Sequence, residues 1–176
     1  MIKLEYFTQS DFDHLIGWID SPEFLLQWAG PNFTYPLTTD QLMHYIGNAN
    51  TKNAPVFVYK VVDEAVDQTI GHISLKIDRQ NKAGRIGKVL VSEEARGKGI
   101  AGVMIEKILY KCFAELHLHK VGLGVFDFNE PAIRVYKKAG FKVDGLLRDH
   151  RKYNNEYWGL YEMSMLHSEW KAKNIF

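Results

Sequence analysis

The chain of 176 residues has one cysteine, Cys112, no apolar run of membrane length and almost no surplus of charge. A lone cysteine excludes an internal disulfide and fits a reducing compartment. A spanning helix needs roughly 20 consecutive apolar residues, and no stretch approaches that. The opening MIKLEYFTQSDFD lacks the basic and apolar regions of a secretory signal. A formal net charge of +1 supplies no field for wholesale binding of nucleic acid or an anionic membrane. Internal repeats, linkers and low-complexity segments are missing too. The expectation is a single cytoplasmic domain, residues 1–176, long enough to bury most of its apolar surface in one core.

What is present centres on residues 84–116. GRIGKVLVSEE reads as a strand, ARGKGIAG as a glycine-rich turn, and the following residues as an amphipathic helix. Gly97, Gly99 and Gly102 let the backbone bend and lie close to a ligand. The first amides of a helix have no intrahelical partner, so a turn that opens a helix suits phosphate. Arg96 and Lys98 add positive charge there.

Three phosphate turns compete for this segment. GKGIAG satisfies G-x-G-x-x-G, yet a dinucleotide fold also wants a leading βαβ repeat and an acidic residue roughly 20 positions on. Residues 116–119 supply no carboxylate. A nucleoside-triphosphate loop needs Gly-Lys followed by Ser or Thr, but Gly97-Lys98 is followed by Gly99. The third pattern, R/Q-x-x-G-x-G/A, is met by Arg96, Gly99 and Ala101.

Around this centre, Ile2 to Phe7 alternates as a strand. Thr8 with Asp11, Ser21-Pro22, and Thr38 or Thr39 start three helices, the last running to about Asn48. Val56 to Val62 and Ile70 to Ile77 form a meander leading into the central strand. The helix after the glycine turn carries Ile105, Ile108, Leu109, Cys112 and Leu116 on one stripe, so Cys112 reads as packing rather than as a nucleophile. His117 and His119 have no third ligand at metal spacing, so no metal site is expected. Lys120 to Phe126 follows a crossover helix and should pair parallel to the central strand. Asn129 caps another helix, with Pro131 in its first turn and Gly140 at its end. Phe141 to Arg148 and Tyr157 to Leu166 close the sheet around a turn at residues 152–156. Aromatics crowd the N-terminal third. Trp28, Phe33 and Tyr35 are candidates for the wall of a substrate pocket, weighed against plain packing of short helices.

NEPAIRVYKKAGF, Asn129 to Phe141, resembles the N-x-x-A-x-x-x-Y-x-K-x-G-F pattern of the GCN5-related N-acetyltransferase superfamily. It stands one helix and one strand after the glycine turn, where that superfamily has it. The resemblance is close over about residues 70–166. It points to the branch with ribosomal-protein N-terminal acetyltransferases and spermidine acetyltransferases. It implies an α+β fold: a mixed, mostly antiparallel sheet, splayed at the cofactor strands after a bulge, with helices on both faces. The cofactor implied is acetyl-coenzyme A, and the acceptor a primary amine on a small molecule or a protein N-terminus. Val89, Leu90 and Val91 would pair their backbone with the pantetheine arm. Arg96, Gly97, Lys98, Gly99, Ile100, Ala101 and Gly102 would cradle the pyrophosphate. Asn129 would contact the cofactor near its thiol end, and Tyr136 would protonate the leaving sulfur.

Two departures stand out. Ala132 replaces a serine frequent in the branch, and Arg85 and Lys88 stand where many members carry a glutamate base. His72, Asp127 or a water chain are then the candidate bases. A noncatalytic acyl-coenzyme A sensor is the alternative function, and a dinucleotide-dependent oxidoreductase a distant one.

Overall fold

A computed structural model of the chain describes residues 1–175. The elements run β1 (Ile2–Tyr6), α1 (Phe12–Trp18), α2 (Pro22–Ala29), α3 (Thr39–Ile46), β2 (Val56–Asp63), β3 (Gln68–Asp78) and β4 (Ala83–Val91). They continue with α4 (Ile100–Tyr110), β5 (Lys120–Phe126), α5 (Glu130–Ala139), β6 (Lys142–Tyr153), β7 (Glu156–Leu166) and α6 (His167–Lys173). The strands form one sheet in the order β1-β2-β3-β4-β5-β7-β6. Pairing is antiparallel for β1–β2, β2–β3, β5–β7 and β7–β6, and parallel for β4–β5. The expected mixed, mostly antiparallel α+β sheet is what the chain forms. The β4–β5 ladder runs from Ala83↔Lys120 to Ile86↔Leu123, although both strands continue beyond it.

Side chains at the helix ends explain where the helices begin. Ser21 Oγ accepts from the Phe24 amide at 3.2 Å, and Thr38 Oγ1 from the Gln41 amide at 3.4 Å. Each such cap is worth about 1 kcal/mol. Asp11 does double duty: its Oδ2 takes the Thr8 amide at 2.8 Å while Oδ1 takes the Lys60 ammonium at 3.0 Å.

The chain divides into two compact units. The first comprises residues 1–76 and 87–104, and its core gathers Phe7, Phe12, Leu15, Leu25, Leu42, Val58 and Leu90. Leu15, Leu42 and Val58 are fully buried there. The second comprises residues 77–86 and those from 105 onward. In it Leu123, Met163 and Met165 are buried, and Phe113 packs against Trp170 at 5.5 Å.

Several boundaries differ from the sequence expectation. α3 ends at Ile46, short of Asn48. α4 begins at Ile100 because Gly99 has a φ of 75°, which no helical residue adopts. It leaves through a π turn, Lys111–Glu115, in which Leu116 N–H reaches the Lys111 carbonyl at 3.0 Å. The closing hairpin is tighter than residues 152–156: Tyr153 pairs with Glu156, so only Asn154 and Asn155 turn. Asn154 takes a φ of 50°, a left-handed conformation that asparagine tolerates well. α6 was not foreseen. Among the described residues no helix is long and apolar enough to cross a membrane, and no group of three or more His, Cys, Asp or Glu could hold a metal ion.

Candidate active site

The glycine turn lies in the first unit. A short 3₁₀ turn, Glu93–Ala95, leads from β4 into it, and Arg96 Nε donates back to the Val91 carbonyl at 3.1 Å. Gly97 and Gly99 both have a φ of 75°, where a side chain is strained. A Cβ built on Gly97, Gly99 or Gly102 would meet nothing within 4 Å. The glycines therefore do not relieve crowding within the protein; they bend the chain and leave its outer face open. The first helical bond of α4 runs from Val103 N–H to the Gly99 carbonyl at 3.3 Å. The amides of Ile100, Ala101 and Gly102 precede it and are free of the helix. Bare backbone donors on an open loop, with Arg96 and Lys98 exposed beside them, fit a pyrophosphate. Upstream, Val89 and Val91 are half-buried and Leu90 is buried.

A cleft of about 580 Å³ opens in the same unit, lined by Phe33, Asp40, Gln41, His44, Tyr45, Lys76, Lys88 and neighbours. Trp28 and Phe33 stack at 6.0 Å, and Phe33 meets Tyr45 edge-on at 5.5 Å. Of the three pocket-wall candidates only Phe33 lines the cleft. Trp28 is buried behind it, and Tyr35 is exposed, its hydroxyl donating to the Asp20 carbonyl at 3.2 Å. Gln41 holds the aromatic loop in place. Its Nε2 donates to the Thr34 and Pro36 carbonyls, each at 3.0 Å, and its Oε1 accepts the Thr34 amide at 2.8 Å.

His72 lies deep beneath these rings. It is 1% exposed, edge-on to Phe7 at 4.7 Å and to Trp28 at 5.6 Å. Its Nε2 shares a hydrogen bond of 3.1 Å with the Tyr45 hydroxyl, while Nδ1 has no protein partner. Burial, aided by the charge of Lys88, pushes its pKa down to about 3, so the ring is neutral at ordinary pH. Burial also raises the Tyr45 phenol above its usual range.

The second unit carries the other candidates. Asn129 caps α5, its Oδ1 accepting the Ala132 amide at 3.4 Å. Tyr136, two turns on, is buried with its ring against Phe141 at 6.0 Å. Burial pushes its hydroxyl up to about 12, so it stays protonated. Gly140 ends the helix with a φ of 110°. Arg85 grips Glu162 with its two terminal guanidinium nitrogens, at 2.8 and 2.9 Å. Asp127 is exposed and packs over Gly159, whose carbonyl accepts the Asp127 amide at 2.9 Å. Cys112 is fully buried, and that pushes its thiol up to about 12. It is not poised as a nucleophile.

Lys76 and the pairing of Arg85 with Glu162 escaped the sequence reading, and Tyr45 counted there only among the crowded aromatics of the N-terminal third. Tyr45 falls on the buried stripe of a short helix, where aromatics are ordinarily packing. Residues 85 and 162 are far apart in the chain, and periodicity carries no signal for such a pair.

The sequence pattern of the acetyltransferase (GNAT) family matches residues 22–141, well over half of the chain. The chain belongs to that family. It is similar to the L-amino acid N-acetyltransferase AaaT of Escherichia coli, 27% identical over 97 residues. That match covers 54% of this chain and 60% of the relative. It is also similar to the spermidine N(1)-acetyltransferase of Vibrio cholerae, 30% identical over 111 residues, covering 62% of this chain and 64% of that one. The chain thus spans less than two thirds of the length of either relative. Its fold matches the crystal structure of spermidine N-acetyltransferase from Vibrio cholerae in complex with CoA and spermine, with a TM-score of 0.83. The superposition covers 97% of this chain and 98% of that one at 23% identity.

Proposed function

We propose that the chain is an acetyl-coenzyme A dependent N-acetyltransferase acting on a primary amine, in the spermidine and ribosomal-protein acetyltransferase branch of its family. The observation that carries this reading is the open glycine turn, Arg96 to Gly102, at the head of α4. Residues 1–176 are proposed to act as one domain, because the family match at 22–141 takes in residues of both compact units. The single buried thiol suits a cytoplasmic setting.

The roles follow from the chemistry. The amides and side chains of Arg96, Gly97, Lys98, Gly99, Ile100, Ala101 and Gly102 hold the pyrophosphate. The backbone of Val89, Leu90 and Val91 orients the pantetheine arm, and Asn129 steadies its thiol end. Acetyl-coenzyme A supplies a thioester-activated acetyl group, moved to the acceptor nitrogen as the C–N bond forms and the C–S bond breaks. A backbone amide of β4 stabilises the negative charge that grows on the carbonyl oxygen. Tyr136 delivers its hydroxyl proton to the departing sulfur. A phenol kept protonated by burial suits a donor, and burial likewise raises the proton affinity of a thiolate leaving there.

The proton lost by the amine needs a different acceptor. His72 is neutral, but its Nε2 is engaged by Tyr45 and the ring is enclosed, so a proton can reach it only through the Tyr45 hydroxyl. Asp127 is solvent-exposed, and water is the third route.

Calorimetry against acetyl-coenzyme A, NAD and ATP tests cofactor choice, with binding expected for the first alone. Release of free thiol with an amine panel then tests catalysis. Tight binding without thiol release for any amine would make the chain a sensor.

A further inference from the structure

Within β4, Lys88 takes a φ of 50°, a left-handed conformation in which a lysine is strained. Its side chain lies over aromatic faces, the ammonium 5.1 Å from the Tyr45 ring centre and 5.9 Å from that of Phe33. Lys76 lines the same cleft. Among the described residues no carboxylate pairs with either ammonium group. The carboxylate lining the cleft, Asp40, stays in the first turn of α3, where the helix dipole favours it. Burial and the neighbouring charge of Lys76 hold the Lys88 pKa below its ordinary value, a sign that its positive charge is under-compensated.

The position of this charge matters for the acceptor. Placed as proposed above, the pantetheine arm would run from the glycine turn back along Val91, Leu90 and Val89 and end at Lys88. Resting on the N-acetyltransferase reading, we infer that this cleft takes a small amine bearing its own carboxylate, an amino acid, and turns away polycationic polyamines. The carboxylate offsets one of the two positive charges and forms charge-assisted hydrogen bonds with the lysines. A polyamine would set several positive charges against the same pair. Cations beside the acceptor nitrogen also favour its neutral form, the one that attacks. The ammonium proton leaves to water before attack, the C–N bond forms as the C–S bond breaks, the thiolate takes a proton from Tyr136, and the second proton shed by the new amide nitrogen restores the Tyr136 phenol through water.

Thiol release would be measured with the twenty L-amino acids, their carboxamides and spermidine. For each side chain accepted, kcat/KM for the acid should exceed that for the amide by about ten- to a hundredfold, the worth of one charged hydrogen bond, and should exceed that for spermidine. Lys88→Asn removes the charge with a residue that tolerates the left-handed backbone. Lys76→Glu reverses a charge on an exposed side chain. Both should shrink the acid-to-amide ratio, chiefly through KM, with melting curves confirming folded protein. Equal rates for acids and amides, spermidine as the best acceptor, or a ratio unchanged in both variants would overturn the inference alone. Absence of thiol release with every acceptor would overturn the N-acetyltransferase reading beneath it.

Discussion

Two buried side chains, Tyr136 and His72, carry opposite lessons about what burial does to a proton. In Tyr136 it keeps the proton on, which suits a donor. Tyr136→Phe should therefore lower turnover by about a hundredfold, the scale of one general acid, with cofactor affinity little changed. Only the hydroxyl is lost; the ring keeps its place against Phe141. The deficit should shrink with a thioester whose thiol leaves more easily, and full activity in the variant would return Tyr136 to a packing role. In His72 burial keeps the proton off. The unfolded imidazole takes up a proton near pH 6.5, whereas the folded one waits until about pH 3. The unfolded chain thus binds more protons between those values, so stability is full above about pH 6.5 and falls as the pH drops. The slope from this one group is at most ~1.4 kcal/mol per pH unit. His72→Gln should abolish that contribution, so melting temperatures of variant and parent should converge between pH 7 and pH 5. An unchanged gap would show that the ring does not resist protonation. The groups facing it are Tyr45, Phe7, Trp28 and, by charge, Lys88.

The glycine turn with α4 acts as one element, and its test is at that scale. Gly99→Glu puts a carboxylate on the open face and an L-residue at a φ of 75°. Acetyl-coenzyme A affinity should fall by at least about a hundredfold, since two pyrophosphate charges would face a new negative one. The domain should survive, because a Cβ there meets nothing within 4 Å. Calorimetry on a folded variant that still bound the cofactor normally would place the phosphates elsewhere. Elements of this kind were legible in the sequence, because their information is local. Caps at Ser21, Thr38 and Asn129, the alternation of Lys120 to Phe126, and the terminating Gly140 all write short-range chemistry into short-range spacing. The π turn after α4 was not legible: Cys112 and Phe113 continue the apolar stripe, and only packing decides how the last turn is wound. α6 was missed for a related reason. Its start is set by Glu169 reaching back to the Leu166 amide at 2.9 Å, and Trp170 is held by a tilted contact with Phe113 and by stacking on His167. The candidate site divides the same way. The glycines and Asn129 announce themselves, but the cleft draws Phe33, Tyr45, Lys76 and Lys88 from four separate segments. Lys88 showed in the sequence only as a residue standing where an acid is usual.

At the scale of the whole molecule, the proposal that residues 1–176 form one domain has a thermodynamic consequence. β3 and β4 each run without a break through residues of both compact units. Strands tend to melt as cooperative blocks, so unfolding should register as one calorimetric transition whose van't Hoff and calorimetric enthalpies agree. A ligand that binds only the folded state adds RT ln(1 + [L]/Kd), about 2.7 kcal/mol at a hundred times Kd. For a chain of this length each kcal/mol raises Tm by about 2–4 °C. Coenzyme A at that concentration should therefore lift the single transition by about 5–11 °C. NAD at the same concentration should leave it where it was. Two resolved transitions, with coenzyme A raising only one, would show that the units unfold separately and that the proposed domain is divisible.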